Sequence, residues 1–417
     1  MKIEKLLPLW LIGLYPLALI VGTLISEIIN VLLVILFLYS SIINKKPIKL
    51  DDKIIYLLLI IWIYLIINLI TSIDFKLSFN RSIFFIRYPL LIMSMCYFFS
   101  KYEENISIVF KMWMITLLVT IFDLYFQFFS GENLLGYKSP WEQRLSGFFN
   151  EELKVAHLLI GFFLPSFAFF FQKNPKKISL YIIFVSYLII LILTNERANI
   201  IRGSLVIFGF FILMPNIKAK IKFFLILLFI SIISLNLIFV DQLNQRFVKE
   251  IKYMAKNENI NKPFDYIILS NYGPHYLASF EIFKKNLLFG AGIKTFRKTC
   301  NNVSIEKYYE NTNFKYTKCT THPHQHNFEI LSELGIIGYS LFLTFFIYLL
   351  YRAINTFIKS KNLVLLSSSL FFVSQLIPLI PTGSFFTSFG STIFFINISL
   401  IYYYIKKYER FNINNSS

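Results

Sequence analysis

Thr321-His322-Pro323-His324-Gln325-His326-Asn327-Phe328-Glu329-Ile330-Leu331-Ser332-Glu333-Leu334-Gly335-Ile336-Ile337-Gly338 leads into a run that stays apolar to about Tyr351. A helical run of about twenty apolar residues crosses the ~30 Å of hydrocarbon in a bilayer. The run has many companions. The chain has 417 residues, is 56% hydrophobic and contains 48 Phe, with a mean hydropathy of +0.62. A soluble domain of this size has no use for so much apolar surface. The fold class is therefore all-α: a polytopic membrane protein with about twelve transmembrane helices and one large loop outside the membrane.

Spans are expected at residues 6–24, 27–43, 54–72, 83–99, 107–129, 154–171, 178–194, 198–215, 221–240, 328–351, 363–380 and 385–405. The first follows Lys2 and Lys5 and lacks a small-x-small cleavage site, so it reads as a retained span and not a removed signal. The chain then divides into spans 1–9 (residues 1–240), a large loop (241–327), and spans 10–12 with a tail (328–417). The formal charge of +18 does not point to nucleic acid. Most of the Lys and Arg lie in short loops and collect in alternate ones, such as Lys45, Lys46 and Lys49, or Lys173, Lys176 and Lys177, where they set topology. That asymmetry puts both termini in the cytoplasm, and the even number of spans agrees. The long loop then faces the periplasm. It is too long for a connector and too polar for lipid. Its excess of Lys and Arg over Asp and Glu favours an anionic ligand such as a lipid phosphate or pyrophosphate, or simply follows from a basic chain. A helical stretch is expected within it from Tyr276 to Leu288, ended by Gly290-Ala291-Gly292.

Of three cysteines, Cys96 falls in a span and reads as packing. Cys300 and Cys319 share the long loop. An oxidising compartment lets them pair, closing a loop worth about 3 kcal/mol in the chain-entropy model. Two free thiols, or a zinc site with His322, His324 or His326, are the alternatives. The Cys spacing matches no structural zinc pattern. Charges inside spans are expensive and usually paired, so Arg87 and Asp123 are expected to pair between neighbouring helices or to line a cavity.

Four outer arginines stand out. Arg144 lies in Arg144-Leu145-Ser146-Gly147-Phe148. Arg197 lies in the tight turn Thr194-Asn195-Glu196-Arg197. Arg246 follows the ninth span, and Arg297 lies in Gly290-Ala291-Gly292…Phe296-Arg297. An arginine at such a place usually anchors the interface. A tight turn, however, fixes Arg197 where hydrocarbon ends, and a guanidinium there grips phosphate with two parallel hydrogen bonds.

These segments resemble, in order and placement, the O-antigen ligase and polymerase family of bacterial membrane glycosyltransferases. The specific element is a His followed by Asn, Ser or Gln, then nine residues, then Gly-x-x-Gly. Counting back from Gly335 and Gly338, the match is His324-Gln325; His326-Asn327 stands two residues too close. The resemblance covers Trp141 to Tyr351. It implies His324 as the catalytic residue and Arg197 as a substrate-binding one. It also implies a further Arg in the long loop, for which His275, Arg246 and Arg297 are the candidates, with Arg144 as an additional substrate contact. The activity it implies is inverting transfer of a glycan from polyprenyl pyrophosphate to a lipid A-core sugar hydroxyl, at the periplasmic face of the inner membrane. It calls for no cofactor and no metal. A polymerase joining repeat units is the near alternative. A lipid-linked glycan transporter is the rival of another class, but it needs polar groups spread along the spans. A plain assembly protein is a further one.

Overall fold

The structure is a computed structural model that describes residues 2–43, 52–139, 141, 144–215, 218–249, 252, 265–310 and 315–416. Its longer helices are α1 (Lys2–Gly13), α2 (Tyr15–Val21), α3 (Thr23–Ile43), α4 (Lys53–Asn68), α5 (Phe75–Ile83), α6 (Arg87–Lys101), α7 (Ser107–Ser130), α8 (Val155–Lys173), α9 (Ile178–Leu193), α10 (Arg197–Leu213), α11 (Ala219–Phe239), α12 (Gly273–Lys285), α13 (His326–Ser360), α14 (Leu363–Leu376) and α15 (Ser388–Ser416). No strand occurs among the described residues beyond one isolated bridge, Glu132 with Lys138. Every expected span contains helix. Six stretches are long and apolar enough to cross a membrane: Thr23–Ile43, Phe75–Lys101, Glu103–Ser130, Val155–Lys173, His326–Ser360 and Ser388–Ile413. The chain is an all-α, multi-pass membrane protein.

Local chemistry sets the helix ends. Asp52 and Asp74 accept hydrogen bonds from Ile54 N and Leu77 N at the starts of α4 and α5, and Asn362 does the same from Leu365 N for α14. Each satisfies one orphan amide of a first turn. Gly131, at φ 84°, ends α7 in a left-handed cap. On the outside, Ile115, Val119, Phe122, Phe126 and Phe129 form one exposed apolar stripe along α7. That spacing is a single helix face, and lipid is the solvent that suits it.

Inside the bundle α15 is the central post, packed by α6, α8, α13 and α14. Helices in lipid gain little from hydrophobic burial against each other, so close approach over small residues matters more. Gly161 on α8 shows this: a Cβ there would sit 2.2 Å from Ile393 Cγ2, and its carbonyl accepts Asn397 Nδ2 at 3.0 Å. The long loop has its own small core, in which Ala278, Ile282, Phe296, Cys300 and Ile305 are buried together. Cys300 and Cys319 are joined there by a disulfide, with Cα atoms 5.4 Å apart.

Several expectations need correcting. Arg87 does not pair with Asp123. Its Nε lies 3.1 Å from Glu27 on α3, because α6 packs against α3. Asp123 instead accepts Leu134 N at 2.9 Å and fixes the loop after α7. The loop helix runs from Gly273 to Lys285, not from Tyr276 to Leu288, since Pro274 opens it and Asn286 closes it. The first span is broken into α1 and α2. The tenth is interrupted at Gly335, which has φ 66° and ψ −170°.

That interruption holds loop and bundle together. The segment Leu287–Gly292 lies alongside the break and takes over its backbone hydrogen bonds. Ile336 N donates to Leu287 O at 2.9 Å, Ala291 N to Ser332 O at 2.9 Å, and Gly292 N to Glu333 O at 2.8 Å. Tyr64 on α4 donates to Leu334 O at 2.6 Å, and Asn68 Nδ2 to Phe289 O at 2.6 Å. The groups freed by breaking the helix are thus satisfied, as burial requires.

Candidate active site

The histidine stretch is pinned before α13 begins. Gln325 caps the helix, accepting Phe328 N at 2.9 Å, while its amide donates to Ile377 O at 3.2 Å. Asn327 Nδ2 donates to Leu376 O at 2.9 Å, and Thr382 N to His324 O at 2.7 Å. The chain after α14 therefore holds the stretch from one side. His324 adopts φ 56°, a left-handed turn. Its ring centroid lies 4.2 Å from that of His322, 5.4 Å from His275 on α12 and 5.5 Å from Tyr272. α12 is held against α13 by Ser279 Oγ donating to Phe328 O at 2.7 Å and by Tyr276 stacking on Phe328. The motif histidine thus meets one of the three loop candidates, His275, whose Nδ1 contacts Lys318 O at 3.2 Å.

Burial pushes the imidazoles of His322 and His324 down to about 3. Lys294, His275 and Arg297 add to the effect on His322. His322 and His275 add to it on His324, with Glu329 pulling the other way. His275 is lowered as well, chiefly by burial. Burial thus favours the neutral form of the rings, which leaves a ring nitrogen free to accept but makes it a weaker base than an exposed imidazole. An anion brought beside them would favour the protonated form.

Next to this cluster lies a cavity of about 390 Å³, lined among others by Arg81, Lys154, His157, Arg202, His322 and His326. His322 Nε2 and His326 Nδ1 are buried and have no hydrogen-bond partner among the described residues. Arg202, 2% exposed, anchors a polar chain across the site. Its Nη1 donates to Gln375 Oε1 at 2.7 Å and its Nη2 to Asn199 Oδ1, while Asn199 Nδ2 donates to Glu196. Burial pushes the Glu196 carboxyl up to about 7, opposed by its bonds from Asn199 and Ala156 and by Arg202 and Arg144.

The outer arginines are placed unequally. Arg197 starts α10, with its guanidinium carbon 6.0 Å from the Phe247 ring centroid. Arg144 stands 5.7 Å from the Trp141 ring centroid. Its segment reaches the Arg197 turn through Leu145 N donating to Thr194 O at 3.4 Å, and Gln127 Oε1 holds Ser146 N and Gly147 N. Arg246 lies in the π-helical turn Gln245–Lys249; its side chain is outside those described. Arg297 lines a groove that adjoins the cavity. With both loop sulfurs in the disulfide, neither is a thiolate available to a zinc ion.

Sequence reasoning passed over several residues here. Arg202, Glu329 and Glu333 all fell inside expected spans, and an ionisable group in a span was itself the signal. Glu329 accepts Ser384 Oγ and Phe385 N, and stands 3.7 Å from Lys294 Nζ. Glu333 accepts Lys294 N at 2.7 Å and Phe296 N at 3.3 Å. The two carboxylates fix the loop after α14 and the loop after α12 against the same turn of α13. His157 carries no distinguishing sequence context, and only packing shows where it points.

Residues 182–343 match the family described as O-antigen ligase. A protein of Rickettsia typhi, named provisionally as a polysaccharide ligase, is 29% identical over 175 residues, which is 41% of this chain. The match spans 39% of that relative's length. The matched segment contains Arg197, Arg202, the lobe with His275, the histidine stretch and the broken helix at Gly335. The similarity to the O-antigen ligase family thus falls on the part of the chain that holds the histidine stretch and the broken helix.

Proposed function

We propose that the chain transfers a glycan from polyprenyl pyrophosphate to a sugar hydroxyl on lipid A-core, at the periplasmic face of the inner membrane. The observation that carries this reading is the meeting of His324, His322 and His275 beside a cavity lined by Arg202 and Arg81, within a segment matching the O-antigen ligase family. The acceptor oxygen forms a bond to the anomeric carbon, and the bond from that carbon to the pyrophosphate oxygen breaks. The electron pair leaves with the polyprenyl pyrophosphate, and the hydroxyl proton passes to an imidazole nitrogen of His324. A single displacement inverts the anomeric centre. Arginines hold the departing charge, with Arg197 and Arg202 on α10 assigned to it. His275 takes the place of the family's further loop arginine.

A second reading puts the base at His326, because its buried Nδ1 has no partner and it lines the cavity with Arg202. Alanine at each of the three positions separates the two. His324→Ala is expected to lower transfer by at least roughly 100-fold, the usual scale for losing a general base, at normal protein level. His326→Ala and His322→Ala are expected to keep substantial activity. A dead His326→Ala beside an active His324→Ala would overturn the first reading. Deleting the gene and resolving surface glycans by gel tests the acceptor. Complete glycan left on carrier lipid supports a ligase, whereas attached single repeat units would make the chain a polymerase.

A further inference from the structure

A second concave site adjoins the cavity. It is a groove of about 440 Å³ whose lining includes Lys76, Arg81, Arg87, Lys294, Arg297 and Glu27. Five of these are cations and one is an acid. The neighbouring acids are already engaged: Glu27 with Arg87 at 3.1 Å, Glu329 with Lys294 at 3.7 Å, and Asp74 with Lys298. Lys76, Arg81 and Arg297 have no acidic partner among the described residues. Arg81 has only a 3.5 Å contact to Ser388 Oγ. A concave surface with three uncompensated cations, backed by the low-dielectric bundle, concentrates negative charge.

The groove and the cavity share Arg81 and Ser388, so an occupant of one abuts an occupant of the other. Transfer between two substrates needs two seats that meet at the reacting atoms. The cavity, with Arg202 at its wall and the histidines beside it, suits the donor's pyrophosphate. A neutral sugar would leave the groove's cations uncompensated, whereas a carboxylate or phosphate accepts the forked bonds of guanidinium. Resting on the transfer reading above, we propose that this groove seats the acceptor by an anionic group, a carboxylate or phosphate carried on its saccharide. The acceptor is then chosen by charge as well as by its hydroxyl.

Binding without donor tests this directly. The full chain, in nanodiscs of phosphatidylcholine, is titrated with trehalose 6-phosphate and trehalose, and with cellobiuronic acid and cellobiose, by ligand-observed NMR. The expected result is binding of at least one anionic sugar and of neither neutral one. Lys76→Ala and Arg297→Ala should each weaken that binding by roughly tenfold, the scale of one charged hydrogen bond. Both residues are exposed, so neither change threatens folding. Equal binding of neutral and anionic sugars, or binding untouched by both substitutions, would overturn the assignment. So would loss of sugar binding when phosphatidylglycerol replaces phosphatidylcholine, since the groove would then be a lipid headgroup site. A chain that binds the anionic sugar yet transfers nothing would sink the transfer reading and leave the groove standing.

Discussion

Glu196 shows how one buried carboxyl couples the arginine turn to pH. Its folded pKa is raised to about 7 by burial, above an unfolded value of about 4.3. A raised carboxyl stabilises the fold fully below the unfolded value, and that contribution is lost as pH rises through about 7. Glu196→Gln keeps the bond from Asn199 and removes the titration. Its thermal midpoint relative to the natural chain should climb between pH 5 and pH 8, by an amount on the order of 1–3 kcal/mol in stability. Melting curves of the two proteins in one detergent decide the matter, and a constant offset across that range would refute it. The histidines act in the opposite sense at lower pH. With folded values depressed to about 3 for His322 and His324, stability is intact above about 6.5 and falls as the unfolded chain takes up protons. At this scale the sequence was legible in part. The spacing to Gly335 singled out His324, which the fold brings beside His322 and His275; the tight turn singled out Arg197, which begins α10 next to Phe247, and the role of each is a proposal. Arg202, five residues further on, was hidden by the apolar pattern around it. Its partners Asn199 and Gln375 come from one helix turn away and from α14, and no local pattern announces such a meeting.

At the scale of elements, the clasp between Leu287–Gly292 and the break in α13 is what joins the loop to the bundle. Gly335 and Gly290 are both required by it. A Cβ on Gly335 would lie 2.3 Å from Leu288 O, and one on Gly290 would lie 2.4 Å from Gly335 N. Both also have positive φ, which alone costs a residue with a side chain roughly 1–2 kcal/mol. Backbone atoms are the obstacle, so no side chain can swing aside. Gly335→Ala and Gly290→Ala should therefore lose folded protein or melt far below the natural chain. Gly131→Ala is the control: φ is 84° but nothing lies within 4 Å, so it should cost only about 1 kcal/mol. Comparable melting of Gly335→Ala and Gly131→Ala would show that the clasp is dispensable. The sequence marked Gly335 by its place in the motif and Gly290 as part of the end of the loop helix. It did not reveal that the helix opens there. An apolar helical pattern with two glycines reads as continuous, and the competing hydrogen bonds come from a segment more than forty residues earlier.

At the scale of the molecule, the distribution of charge gives the orientation its argument. Five short loops rich in Lys and Arg, near residues 45–53, 173–177, 218–222, 352–361 and 406–410, alternate with loops that hold few. The histidine cluster, the arginine cavity and the basic groove all gather at the bundle end that carries the Cys300–Cys319 lobe. In the proposed topology that end lies opposite the lysine-rich loops. Lipid-linked glycan would then meet the site outside the cytoplasm, in a compartment where the disulfide persists. The reading stands or falls on this orientation, because the same residues facing the cytoplasm would meet a different pool of substrates. Reporter fusions test it. A reporter active only in the periplasm, fused after Asn302 in the lobe, should be active, and the same reporter after Asn412 should be silent. A reporter active only in the cytoplasm should give the reverse pair. Activity of the periplasmic reporter after Asn412 but not after Asn302 would invert the molecule, and with it the proposed donor, acceptor and face of reaction.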